Sequence, residues 1–166
     1  MSDTKELLLA AFRRLRTKPL DTAKQAEKKA FSEALSAAVA LALAEDLRHR
    51  GMAEARPSGP GERAGSGAER RMAGGIGAKK VDVTWATEEA GLLLGISVKS
   101  VNFRDVRGNN FQKNFTNRRG DLLFEAVTLH RRFPYAVLAA FWFFDKDAAN
   151  DGTATRKSTF SNAHHG

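Results

Sequence analysis

Cysteine is absent from this chain. Disulfides and thiolate metal sites are therefore excluded, and the composition suits a reducing, cytoplasmic setting. Long apolar runs are also missing. The longest, residues 135–144, has only the length of a strand, and the N-terminus carries no charged-then-apolar leader pattern. Neither a membrane span nor a secretory signal is expected. Histidine is sparse. His49, His130, His164 and His165 do not form a zinc-binding constellation, and the last two are read as part of a tail. Large apolar side chains are nearly lacking from residues 51–78, where Gly, Ala, Ser, Pro, Arg and Glu dominate. Such a segment cannot bury enough surface to offset its ordering entropy, so a flexible loop is expected there. Its glycine cluster at 72–78 is followed by a strand pattern rather than a helix, which argues against a dinucleotide fingerprint.

What remains is one domain's worth of chain, 166 residues with 42% hydrophobic content. Most of the eleven Phe lie in the second half, which places the core there. The formal charge is +8, and residues 99–132 alone hold eight basic and three acidic side chains. A basic cluster of this kind fits a phosphate-backbone partner, with a solvated basic surface as the plainer alternative.

Helical periodicity marks residues 3–17 through Leu7, Leu8, Phe12 and Leu15. A second, alanine-rich helix runs from a cap at Asp21 to about Arg50. Residues 79–86 and 92–103 read as strands joined by a turn, the second central in a sheet. A helix follows over about 111–132, irregular near Gly120, and then a buried strand over 135–144. The expected organisation is N-terminal helices at 1–50, a loop at 51–78, a core at 79–145 and a polar tail at 146–166. The order α-α-β-β-α-β implies an α/β or α+β fold, a mixed central sheet flanked by helices.

The chemistry concentrates in residues 82–99. Asp82 sits on one strand, and Ser97-Val98-Lys99 sits inside an apolar run on the next. Alternation puts Ser97 and Lys99 on one face. A lysine in such a run is costly to bury unless its ammonium has a partner or a task. The alternatives are a strand-end cap for Asp82 and a snorkelling edge residue for Lys99. A carboxylate beside that ammonium would make a seat for a divalent metal and a polarised water.

An Asp on one strand followed by an acidic-x-Lys triplet on the next resembles the PD-(D/E)xK nucleases, the restriction-endonuclease-like superfamily, over residues 25–145. The resemblance implies metal-dependent DNA cleavage in restriction or phage defence, with Mg²⁺ or Mn²⁺ as cofactor, DNA as partner, and a homodimer as one assembly. It matches Asp82 to the metal-binding Asp and Lys99 to the lysine. Glu33 matches the upstream-helix Glu by position, with Glu45 second. The core of that family has a further strand and helix, so this chain is expected to be either a minimal version or a truncated one. Ser97 departs from the pattern by standing where an acid is usual. Some members with Ser-x-Lys take the missing carboxylate from the following helix, which makes Glu125 the candidate substitute.

Geometry bears on that substitute. Four strand residues from Lys99 advance about 13 Å. A helix returning at about 1.5 Å per residue reaches the level of Lys99 near residues 120–122. Asp121 is nearer in height, and Glu125, four residues on, shares its face. Both could instead be solvated acids. The expected metal ligands are thus Asp82, Glu33, Glu125 and Asp121. Gln112, Lys113, Asn114, Asn117, Arg118 and Arg119 enter the same helix as an amide-rich basic run. Such side chains contact phosphates and base edges, or else form a solvated face. The runner-up function is a catalytically inactive nucleic-acid-binding module on the same fold.

Overall fold

A computed structural model describes residues 3–59, 70–72 and 79–165. Helix α1 spans Thr4–Arg13, its first turn capped by the Asp3 carboxylate, which accepts from the Lys5 N–H at 3.1 Å. Helix α2 spans Gln25–His49. Small alanines let α2 approach the sheet closely, and Leu35, Val39 and Leu43 pack on Val83, Ile96 and Val98. Leu8 and Phe12 of α1 close the same cluster from outside. Among the described residues no helix is long and apolar enough to cross a membrane.

The sheet is mixed and three-stranded, in the order β3 (Val83–Thr87), β4 (Gly91–Val101), β5 (Val137–Phe144). β3 and β4 are antiparallel and β4 and β5 parallel, with α3 (Gln112–Arg132) as the crossover. With the helices on its faces, the fold is α+β. β4 is the central strand, as its apolar sequence predicts. One of its faces carries Ile96 and Val98 toward α2, and the opposite face carries Ser97 toward α3.

The strand expected over 79–86 is broken in two. β1 (Arg70–Met72) pairs with β2 (Lys79–Val81) in a separate ribbon, while β3 begins at Val83. The break falls on Asp82. Val81 joins Leu92 and Leu129 in one cluster, and Val83 joins the α2 cluster. Residues two apart on a straight strand would share a face, so the chain bends at Asp82. β3 therefore pairs with β4 only up to Ile96, and among the described residues no strand pairs with the edge of β4 from Val98 onward on that side.

Other expectations are corrected. Part of the segment expected as a flexible loop is built into the fold. Ala55 is buried, and Arg56 exchanges backbone hydrogen bonds with Thr84 at 2.8 and 3.0 Å. Arg70–Met72 is the strand β1. Residues 60–69 and 73–78 of that expected loop lie outside the described residues. Helix α3 runs unbroken through Gly120. Asp21 caps no helix; it accepts from the Arg104 N–H at 3.1 Å. β5 is an edge strand of the described sheet rather than a buried one, with Val137 62% and Phe141 40% exposed.

Residues 146–165, expected as a polar tail, contain two short helical elements. A 3₁₀ turn (Lys146–Ala149) and helix α4 (Thr159–His165) pack at the base of α3. Buried Asp151 accepts from the Phe111 N–H (2.9 Å), the Thr159 N–H (2.6 Å) and the Thr159 hydroxyl (2.5 Å). Phe111, Phe115, Val101 and Ala148 form the cluster that this carboxylate ties down.

Candidate active site

Strand β4 and helix α3 build the centre of the site. Lys99 Nζ lies 3.0 Å from Glu125 Oε2, and the Ser97 hydroxyl donates to the other carboxylate oxygen. The three groups are largely withdrawn from water. The side chains of Lys99 and Glu125 are 14% and 8% exposed, and Ser97 is 4% exposed. Two residues that alternation puts on one face of β4 thus hold the two oxygens of one carboxylate from the next helix.

Asp82 lies at the edge of β4 where pairing with β3 ends. Its Oδ2 accepts from the Val98 N–H at 2.6 Å. The bend that ends strand pairing leaves that amide without a β3 carbonyl, and the Asp82 carboxylate takes the carbonyl's place. This fixes the carboxylate beside the segment that carries Lys99.

A cleft of about 710 Å³ runs along this open edge, and both Asp82 and Lys99 line it. Helix α2 contributes Lys28, Lys29, Ser32, Glu33 and Ser36 to one wall, and α3 contributes Asn114 and Arg118 to the other. Arg104 and Asp105 close one end. Five basic and three acidic residues line the cleft, which gives it a positive balance suited to a polyanion.

The remaining candidates divide. Glu33 lines the cleft, but its side chain is 68% exposed and 3.8 Å from Lys29. Asp121 is 63% exposed, lies 3.8 Å from Arg118 and is outside the cleft lining. Glu45 pairs with Arg48 and with His49, 3.1 Å away, near the far end of α2. Asp82, Glu33, Glu125 and Asp121 do not gather, and among the described residues no three metal-binding side chains cluster. In the amide-rich run, Asn114 and Arg118 reach the cleft, whereas Lys113, Asn117 and Arg119 are exposed outside its lining. Gln112 instead accepts from Asn162 Nδ2 at 2.8 Å, and Asn114 donates to the Phe103 carbonyl at 2.8 Å.

Apart from Glu33, the residues of the α2 wall were not expected from the sequence, and neither was Asn102. Lys28, Lys29, Ser32 and Ser36 recur at helical spacing beside the apolar stripe, so the signal was present as a polar stripe. Arg104 was also missed. It is held by Asp147 at 3.3 Å and lies over the Phe111 ring, 5.2 Å from its centroid.

No family model, curated protein or solved structure matches this chain.

Proposed function

We propose that the cleft is the active site of a metal-dependent DNA endonuclease of the PD-(D/E)xK kind, serving restriction or phage defence. One observation carries the reading. The Glu125 carboxylate, delivered by a different element, lies between Ser97 and Lys99, where an acid at position 97 would project. This supports Glu125 as the substitute for the acid that the motif lacks; Lys99 and Asp82 line the cleft, while Glu125 and Ser97 lie behind Lys99, outside its lining.

The residue types available, carboxylates, are those a hard divalent ion prefers. Mg²⁺ is commonly held by one or two carboxylates, its other ligands being water and substrate phosphates. Asp82 and Glu125 are the carboxylates that would hold it. Bound there, Mg²⁺ or Mn²⁺ supplies charge neutralisation at the phosphoryl oxygens and a more acidic water. The chain's own groups do the rest. Ser97 holds one Glu125 oxygen, and the Val98 N–H holds Asp82, so both carboxylates are oriented before substrate arrives. Lys99 balances Glu125 in the free protein and orients the attacking water or stabilises charge building on phosphate. Arg118 and Lys29 grip the backbone on either side.

A second reading has its own support. Glu125 is already engaged by Lys99 and Ser97, and no third metal-binding side chain joins it among the described residues. That favours a nucleic-acid-binding module without catalysis. Incubation with supercoiled plasmid in Mg²⁺, Mn²⁺ or EDTA separates the two. The nuclease reading expects nicking with metal alone and none by Asp82→Asn, which still binds. Binding without cleavage in either metal selects the second reading, and absence of binding removes both.

A further inference from the structure

The cleft reaches around the open edge of β4 to the face opposite Lys99. There the buried Asn102, 8% exposed, spends both N–H groups of its amide on hydroxyl oxygens. Its Nδ2 donates to Ser100 Oγ at 3.0 Å and to Ser32 Oγ at 3.3 Å. A hydroxyl has one proton to give. With an amide hydrogen occupying each oxygen, neither hydroxyl can direct its proton at that NH₂, and neither donates to another group among the described residues. All three residues line the cleft. One amide therefore holds two O–H donors, one from α2 and one from β4, with their protons free for an acceptor in the cleft. Lys29, 72% exposed, stands one helical turn from Ser32 on the same wall.

We infer that Ser32, Ser100 and Asn102 form a phosphate-oxygen subsite that seats a DNA backbone phosphate next to the one at Asp82 and Lys99. This rests on the nuclease reading and adds a substrate contact to it. Two neutral donors with a cation behind them suit a phosphodiester, which offers only acceptors. Ser100 follows Lys99 directly, so the subsite and the reacting centre lie on opposite sides of one strand edge. A strand of nucleic acid crossing that edge touches both. Ser32 and Ser100 contact the phosphate, Asn102 positions their hydroxyls, and none of the three takes part in bond breaking.

The test is binding of a short DNA duplex in EDTA, across a range of salt, read by fluorescence anisotropy. S32A/S100A should bind roughly tenfold more weakly, the loss of two neutral hydrogen bonds, with the salt slope unchanged because no charge is removed. K29A should instead lower the slope by about one. S32A and S100A alone each leave the amide one hydroxyl partner and keep the test available if the double variant folds poorly. Each should lose about threefold. Wild-type affinity in both single variants overturns the subsite while leaving the nuclease reading in place. A wild-type protein that does not bind the duplex at low salt overturns both.

Discussion

Removing the Glu125 carboxylate should unfold more than it would at a surface ion pair. Glu125 and Lys99 are 8% and 14% exposed, and Ser97 beneath them is buried. Glu125→Ala strands a desolvated ammonium and a buried hydroxyl. Breaking a buried pair from one side costs about 3–5 kcal/mol. The cleft lets Lys99 turn toward water, which puts the expected cost near the lower end, about 3 kcal/mol. For a domain of this size each kcal/mol moves Tm by roughly 2–4 °C, so the expected fall is about 6–12 °C. Replacing both members, Lys99→Met with Glu125→Leu, removes the stranded charge and should return Tm to within a few degrees of wild type. Thermal unfolding of the wild type, Lys99→Met, Glu125→Leu and the double variant gives the coupling directly. The double variant should be folded and unable to cleave DNA, which separates the pair's role in stability from its proposed role in cleavage. An unchanged Tm in Glu125→Ala, or a double variant no more stable than the singles, would refute a desolvated pair at this position.

Three further outcomes follow from other parts of the structure. Burial pushes the Asp151 carboxyl up, but the hydrogen bonds from the Phe111 N–H and from Thr159 outweigh it and hold the group below its ordinary value. Its stabilisation is therefore present above the unfolded value of about 3.9 and is lost as pH falls through the lower folded value. Asp151→Ala should cost about 3 kcal/mol at neutral pH by leaving buried donors unpaired, and a pH series of denaturant melts should show the gap from wild type closing in acid. Arg118→Ala should flatten the salt dependence of DNA binding by about one, whereas Arg119→Ala, outside the cleft lining, should change it less; equal effects would move the interface. Gly91 turns with φ +69°, and a Cβ there would sit 3.1 Å from the Phe133 ring, so Gly91→Ala should lose about 1–2 kcal/mol in a denaturant melt.

The centre of the site was legible because strand alternation is strict. Ser97 and Lys99 two apart in an apolar run had to share a face, and the cost of burying an ammonium called for a carboxylate partner. Helix height alone placed Asp121 nearer than Glu125. The rotation of α3 decided otherwise, since Phe115, Glu125 and Leu129 form its buried face. The bend at Asp82 left no local mark, because valines on both sides look like one continuous strand. It arises from two clusters on different faces competing for Val81 and Val83. The docking of residues 146–165 was equally hidden. It depends on one carboxylate reaching a backbone N–H forty positions away, and such a contact has no periodicity. The exposed edge of β5 was obscured by composition, since an uncharged apolar run reads as buried on both faces.

In the proposed site, Glu125 would fill the place of an acid at position 97. The direct measurement is plasmid cleavage in Mg²⁺ or Mn²⁺ by the wild type, Glu125→Ala, and Glu125→Ala combined with Ser97→Glu. The expected result is cleavage by the wild type, none by Glu125→Ala, and a measurable return when the carboxylate is supplied from position 97 into the space that Glu125 vacated. Full cleavage by Glu125→Ala, or no metal-dependent cleavage by the wild type, would contradict it.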